Sequence, residues 1–219
     1  RDVLGSRGLG DVYKRQGEQL KCGDFVPFVF EHKFNMEVGD GDRKQLMSGT
    51  IDRVDICENG TDVYVRIIDY KTGKKDFNIV KTYYGIDIQL MVYMEAAMKL
   101  VAKMRPGKNV IPAGVFYYNI SDPIVSATTE SAEEIEDKIK GELRLKGMVN
   151  SDKDIAEKMD NTEGTSLNIP VSRKADGGFD SRRSKVMNTE QFNILGRFVD
   201  VRAIDTCLLY TSPSPRDPK

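Results

Sequence analysis

Two short segments carry acidic and basic residues at a spacing that suits metal-assisted hydrolysis. They are SGTIDRVDI (48–56) and VRIIDYKTGK (65–74). Alternate residues of a strand share a face, so Asp69 and Lys71 are expected to point the same way at the end of an apolar row. Asp52 lies on the preceding strand and can reach the same place. Because Mg²⁺ takes oxygen ligands, two carboxylates beside a lysine predict a magnesium site.

Residues of these types are the ones that phosphodiester hydrolysis needs. A divalent cation can neutralise the phosphate and acidify a water molecule. The amine of Lys71 can orient or deprotonate the attacking water and offset developing negative charge. Taken alone, Asp69 and Lys71 could equally be a surface ion pair worth ~0–1 kcal/mol. Asp55 is expected to form a salt bridge and to take no part in catalysis.

The elements that must position these residues are predicted from hydrophobic period and turn residues. The strands are predicted at 25–38, 45–56, 63–71 and 111–120, with turns at 39–43 and 58–62. In the first strand, alternation places five side chains on one face: Phe28, Phe30, His32, Phe34 and Met36. The first three strands are expected to form an antiparallel meander.

Helical spacing replaces strand spacing after the third strand. Tyr83 to Met104 is predicted as a helix that Pro106-Gly107 ends, and it returns the chain to the fourth strand. Further helices are predicted at 129–146, 151–159 and 188–203, the last with a capping box from Asn188 to Gln191. The polar stretch 161–184 is predicted as a long mobile loop. The resulting fold is an α/β fold with a mixed sheet flanked by helices.

The order of these motifs resembles a known family. GTIDRVD, then IIDYKTGK, then a helix with YYGIDIQLMVYMEAA (83–97) is similar to the RecB-like branch of PD-(D/E)XK nucleases, which has a restriction-endonuclease-like core. Phe25-x-Pro27 with Glu31 and Phe34 upstream, and PAGVFYYNISDPI (112–124) downstream, resemble the B subunit of AddAB-type helicase–nucleases (AddB). The resemblance covers most of residues 25–205.

The resemblance implies a role for each matching residue. Asp52, Asp69 and the main-chain carbonyl of Tyr70 would ligate Mg²⁺, with Mn²⁺ as the alternative ion. Lys71 would position the water, and Gln89 would shape the site. Other candidates are Tyr93 and Lys74 as DNA contacts and Glu31 in an accessory role.

The resemblance also implies the setting of the reaction. It implies a DNA exonuclease that acts on single-stranded, unwound DNA in double-strand break repair and recombination, with an AddA-type helicase subunit as partner. Members of the family carry an upstream metal-ligating His and a 4Fe–4S cluster. Neither can be assigned to this chain, so the fragment alone is expected to be weakly active or inactive. His32 is not assigned as a ligand.

Composition fits an ordinary globular domain in a reducing cytoplasm. The chain has 33 basic and 34 acidic residues, so no overall basic excess supports DNA binding. Cys22 and Cys57 cannot form a disulfide framework and are expected to be inert. No apolar run approaches the ~18 residues of a membrane span, so no membrane association is expected.

The two ends of the chain are expected to be of foreign origin. Codons can be chosen for Ser6 to Gln16 whose reverse complement, read one nucleotide out of phase, encodes Cys207 to Arg216. This text resembles a sequencing adapter translated in both orientations. Residues 1–16 and 207–219 are therefore predicted to be artefact, and 17–206 to be the nuclease domain.

Two other functions remain open at the level of sequence. The first is another RecB-like nuclease, either Cas4-like or a phage exonuclease. The second is a catalytically inactive scaffold that binds DNA or a partner subunit.

Overall fold

A six-stranded mixed sheet forms the centre of the domain. The computed structural model describes residues 22–38, 44–120 and 141–211, and of 203–211 the backbone alone. The strands lie in the sheet in the order in which they occur along the chain. They are β1 (Val26–Val38), β2 (Gln45–Asn59), β3 (Asp62–Lys71), β4 (Asn109–Asn119), β5 (Lys146–Asn150) and β6 (Val186–Met187).

The first three strands form the predicted antiparallel meander. Gly60 has a φ of 59°, which a tight turn between β2 and β3 requires and which glycine adopts without steric cost. The predicted turn at 39–43 lies outside the described residues. β4 then pairs parallel to β3, so the chain must cross over the sheet between them.

Two helices make this crossover, where one was predicted. They are α1 (Ile79–Tyr83) and α2 (Gln89–Met104). The prediction that a single helix begins at Tyr83 is wrong, because Gly85 takes a φ of 75° and interrupts the helical backbone. The predicted end before Pro106-Gly107 is confirmed.

Each face of the sheet carries its own core. One face packs against α2 and against α4 (Thr189–Thr211) through buried aliphatic and aromatic side chains such as Val65, Ile67, Leu90, Ala97 and Phe192. The other packs against α3 (Lys153–Met159) through side chains such as Ile68, Phe116, Leu145 and Ile155. This confirms the α/β fold with a mixed sheet between helices.

The strand alternation of β1 breaks at Glu31. Glu31 has a φ of 47°, a left-handed conformation that a residue with a Cβ rarely adopts. Phe34 is buried, but Phe30 is 61% exposed and its ring lies 5.9 Å from the guanidinium carbon of Arg53. The prediction that Phe30 and Phe34 share one face is therefore wrong, because the kink at Glu31 reverses the alternation.

The second half of the chain departs furthest from prediction. Residues 121–140 lie outside the described residues, but Lys146, predicted to end a helix, begins β5 instead. The segment 161–184, predicted to be a mobile loop, is packed. Two of its buried polar side chains bond to Asp160, the residue just before it, whose carboxylate accepts from Ser166 at 2.6 Å and from Asn168 at 3.1 Å.

The one predicted helix cap is present, and the structure shows a second cap that was not predicted. Asn188 and Gln191 exchange the two hydrogen bonds of a capping box at the start of α4. Asp152 caps α3 in a similar way. Within the described residues, no helix is both long enough and apolar enough to cross a lipid bilayer.

Candidate active site

The candidate site lies where β2 and β3 leave their shared ladder. Arg53 pairs with Ile68 at the last step of this ladder, and the next position outward brings Asp52 opposite Asp69. Directly opposed residues of an antiparallel pair point to the same face. Oδ2 of Asp52 accepts a 2.7 Å hydrogen bond from the main-chain N–H of Tyr70, which fixes Asp52 to β3.

Asp69 is a buried carboxylate next to a lysine. It is 3% exposed, and Nζ of Lys71 lies 2.7 Å from its Oδ2. Burial raises the pKa of Asp69, the charge of Lys71 opposes that rise, and the charge of Asp52 adds to it. The predicted meeting of Asp69 and Lys71 on one face is confirmed, and Asp52 is close enough for its charge to act on Asp69.

The first residue of α2 holds the lysine in place. Nζ of Lys71 donates a 3.0 Å hydrogen bond to Oε1 of Gln89. Nε2 of Gln89 in turn donates to the hydroxyl of Tyr93 at 2.9 Å. Gln89 and Tyr93 are four residues apart and therefore share one helical face. The structure brings both predicted helix residues to the site as one chain of hydrogen bonds.

Three further residues belong to this site and were not predicted to do so: Lys75, Asp87 and Tyr117. Tyr117 is the register partner of Asp69 on β4. Its hydroxyl donates to Oδ1 of Asp87 at 3.0 Å, and Nζ of Lys75 lies 3.0 Å from Oδ2 of the same carboxylate. The Lys71 and Lys75 ammonium groups lie 5.7 and 5.5 Å from the centroid of the Tyr117 ring.

The sequence held only a partial signal for this group. Val115 and Tyr117 alternate along β4, but the register that sets Tyr117 beside Asp69 depends on the crossover and not on local pattern. Asp87 precedes Gln89 by two residues in a segment predicted to be helical. The actual start of α2 at Gln89 leaves Asp87 in the preceding turn, where it faces Tyr117.

The remaining candidates lie at the edge of the site. Glu31 is exposed and, from the β1–β2 register, lies across from Asp52. The side chain of Lys74 is 85% exposed, and its Nζ lies 3.9 Å from Glu142. Tyr70 contributes its main-chain N–H to Asp52, while its carbonyl remains a predicted ligand.

The expected salt bridge of Asp55 is confirmed and is more extensive than predicted. Nε of Arg53 lies 2.6 Å from Oδ1 of Asp55, and Nε of Arg66 lies 2.9 Å from Oδ2. All three side chains are buried. Arg53 is the register partner of Ile68, so this network supports the strand next to Asp69.

The residues present fit a divalent cation at Asp69. Oδ2 of Asp69 is buried and lies 2.7 Å from the Lys71 ammonium, but among the described residues it accepts no hydrogen bond in good geometry. Oxygen atoms of this kind are the donors that Mg²⁺ prefers. The described residues contain no cluster of three or more His, Cys, Asp and Glu able to hold a metal ion. The predicted ligands of the cation are instead two carboxylates, of Asp52 and Asp69, and the main-chain carbonyl of Tyr70.

Comparison with known proteins agrees with this geometry. A family model described as the PD-(D/E)XK nuclease superfamily matches residues 7–176. The B subunit of the ATP-dependent helicase/deoxyribonuclease of Clostridium botulinum strain Hall is 37% identical over 202 residues, which are 87% of this chain and 17% of the relative.

Two further relatives carry the same name. That of Lachnoclostridium phytofermentans is 38% identical over 203 residues, or 88% of this chain and 17% of the relative. That of Caldanaerobacter subterraneus subsp. tengcongensis is 39% identical over 193 residues, or 83% of this chain and 16% of the relative. The chain thus spans about a sixth of the length of these relatives. With the family model matching most of its length, the chain belongs to the PD-(D/E)XK nuclease superfamily.

Proposed function

We propose that this domain hydrolyses phosphodiester bonds of DNA with the help of Mg²⁺, or of Mn²⁺ in its place. The observation that carries the proposal is the meeting of Asp52, Asp69 and Lys71 at the end of two paired strands. Asp69 offers a buried carboxylate oxygen that lies beside the Lys71 ammonium, 2.7 Å away. Asp52, Asp69 and the carbonyl of Tyr70 are the proposed ligands.

A cation bound there supplies positive charge at the scissile phosphate and acidifies water. The chain's own residues then set the geometry. Lys71 is held from two sides, by Asp69 at 2.7 Å and by Gln89 at 3.0 Å, so its ammonium group is directed at one point of the site. From that point it orients the attacking water and offsets charge that develops on the phosphate.

Gln89 and Tyr93 contribute by holding Lys71 rather than by reacting. The hydroxyl of Tyr93 accepts from Nε2 of Gln89, which leaves Oε1 of Gln89 facing Lys71. The orientation of the amide is therefore fixed by its two neighbours. Fixed catalytic groups need no reorganisation when the reaction occurs, which is the advantage of a preorganised site.

The relatives' name provides the setting of the proposal. Each is named as the B subunit of an ATP-dependent helicase/deoxyribonuclease. We therefore propose a domain of an AddAB-type enzyme that degrades single strands as an exonuclease, after an AddA-type helicase subunit has unwound them. The proposed setting is double-strand break repair and recombination in the cytoplasm. The family's 4Fe–4S cluster is proposed to lie outside this chain.

The test compares two carboxylate variants in the reassembled helicase–nuclease that carries this domain. Asp69→Asn keeps the size of the side chain but removes the charged oxygen, so degradation of unwound strands should fall by at least ~10²-fold while DNA unwinding persists. Glu37→Gln neutralises an exposed carboxylate on β1 and should degrade DNA like the parent enzyme. Undiminished degradation by Asp69→Asn would show that the nuclease assignment is wrong.

A further inference from the structure

A cleft of about 320 Å³ opens directly beside the candidate active site. Gln89, whose amide holds Lys71, forms part of its wall. The rest of the wall is mainly apolar and comes from Phe34 and Met47 of the sheet and from Ile86, Ile88 and Val92 around the start of α2. The cleft therefore shares Gln89 with the site proposed to cut the strand.

We propose that this cleft binds one unpaired nucleobase of the strand being cut, an inference that rests on the proposed nuclease function. The volume lies at the low end of the ~300–1,000 Å³ of small-molecule sites, which suits one planar ring system. Ser48, Gln89 and Tyr93 place hydroxyl and amide groups among the apolar residues. Such a combination can contact both the faces and the polar edges of a base.

The aromatic residues of the cleft are held in a fixed arrangement. The rings of Phe34 and Tyr93 meet edge to face, with their centroids 5.7 Å apart. Ile86, in the wall of the cleft, is 74% exposed, and Tyr84, two residues before it in the chain, is 65% exposed. Exposed apolar groups beside a site for a polyanion can contact the strand through the apolar faces of its bases.

The charges around the cleft agree with a nucleic-acid strand. Lys71 and Lys75 lie on the side where the scissile phosphate would bind, and the exposed side chain of Lys74 lies next to them along the chain. Among the described residues that line the cleft, Asp87 is the one carboxylate. Its charge is offset by Lys75 at 3.0 Å and by the hydroxyl of Tyr117, so it should repel phosphate only weakly.

This arrangement also selects between strand types. A base paired within a duplex is covered on both faces and cannot enter the cleft without being unpaired, which costs a few kcal/mol. A base of a single strand enters without that cost. The cleft therefore favours the binding of unwound DNA over duplex DNA at the site of cleavage.

The test measures binding of this chain to fluorescent oligothymidylate in EDTA, so that no cleavage occurs. A single abasic site is moved along the oligonucleotide. At one position near the centre of the bound region, loss of the base should weaken binding about fivefold or more, as expected for a stacked base. In Ile86→Asp the same abasic site should have no effect, because the cleft no longer accepts a base.

A matched variant controls for the added charge. Ile194→Asp places a carboxylate at another exposed isoleucine, on α4 and away from the cleft, and should retain the abasic effect. The proposal is overturned if the chain does not bind the oligonucleotide, or if no position of the abasic site changes the affinity. The proposal is also overturned if the abasic site still weakens binding by Ile86→Asp. The exposed apolar residues of the cleft would then be assigned to a contact with a protein. DNA binding measured in EDTA does not depend on cleavage. A failure of this test can therefore be distinguished from a failure of the Asp69→Asn test.

Discussion

A Cβ atom on Gly49 would lie 2.9 Å from Cε1 of Phe34 and 3.3 Å from Cε1 of Tyr93. The absence of a side chain at Gly49 thus lets these two rings meet. Tyr93 fixes Gln89, and Gln89 fixes Lys71. The glycine three residues before Asp52 therefore acts, through packing, on the lysine that we propose to be catalytic.

Gly49→Ala should disturb this packing. Because the added methyl group overpacks the ring pair, we expect the free energy of unfolding to fall by ~1–3 kcal/mol. The displaced Tyr93 should also lower the rate of DNA cleavage. Urea denaturation of the chain and a cleavage assay of the intact enzyme measure the two effects.

The matched control is Gly196→Ala on α4, where an added Cβ meets nothing within 4 Å. An alanine within a helix should raise the free energy of unfolding by ~0.5–1 kcal/mol. Equal effects of the two substitutions would contradict the packing role of Gly49.

Gln89→Met should show that Gln89 positions Lys71. Methionine is close in size but removes both hydrogen bonds, so we expect kcat to fall by roughly 10²-fold, as for a displaced catalytic group. KM should change less than kcat, because the phosphate-binding charges and the apolar wall of the cleft remain. Steady-state cleavage kinetics of the intact enzyme separate kcat from KM.

Tyr93→Phe provides the graded comparison. It removes only the hydroxyl that accepts from Gln89, and the bond from Lys71 to Gln89 remains. The loss in kcat should therefore be smaller than in Gln89→Met. A Gln89→Met enzyme with an unchanged kcat would mean that Lys71 is held by Asp69 alone.

The sequence predicted the parts of the site that depend on local period. Alternation along β3 placed Asp69 and Lys71 together, and helical spacing placed Gln89 and Tyr93 together. Both relationships lie within one element, where the period of the backbone decides which side chains are neighbours. The antiparallel β2–β3 pairing was also predictable, because a short turn allows little else.

Long-range pairing and local strain could not be predicted in this way. The contact between Asp87 and Tyr117 depends on the register of a parallel crossover. The reversed face of Phe30 depends on a left-handed Glu31, which no propensity favours. The polar composition of segment 161–184 predicted a mobile loop, but its buried polar groups Ser166 and Asn168 bond to the neighbouring Asp160.

Substitutions at Glu31 can separate the effect of its backbone strain from the effect of its charge. A non-glycine residue at a φ of 47° costs on the order of 1–2 kcal/mol. Glu31→Gly removes both the strain and the carboxylate, so we expect the free energy of unfolding to rise by about 0.5–1 kcal/mol after the added flexibility of the unfolded chain is counted.

Glu31→Gln removes the charge but keeps the strain. If Glu31 has the proposed accessory role, both variants should lower cleavage to a similar extent, while only the glycine variant gains stability. A normal cleavage rate in Glu31→Gln would exclude the accessory role. Denaturation and cleavage assays on the same pair of variants give the answer.

Asp200 on α4 should make stability depend on pH. It lines a groove of about 600 Å³ between α2 and α4, together with Glu95, Lys99 and Arg197. Burial, then a hydrogen bond with Glu95 and the charge of Glu95, raise the pKa of Asp200 to about 7, and Lys99 opposes this rise. The folded protein thus holds the proton more tightly than the unfolded chain, in which the carboxyl has its ordinary pKa of 3.8.

The sign of the effect follows from this difference. The stabilising contribution is complete below about pH 4 and is lost as the pH rises through about 7. One pKa unit corresponds to about 1.4 kcal/mol. Because the groove is open to solvent, we expect only part of the pKa shift to affect stability. The free energy of unfolding should therefore fall by on the order of 2 kcal/mol between pH 5 and pH 8. Asp200→Asn should remove this loss, whereas Glu157→Gln, at an exposed carboxylate on α3, should keep it. Urea denaturation at both pH values measures this loss. If Asp200→Asn keeps the pH dependence of the parent protein, the dependence comes from another group.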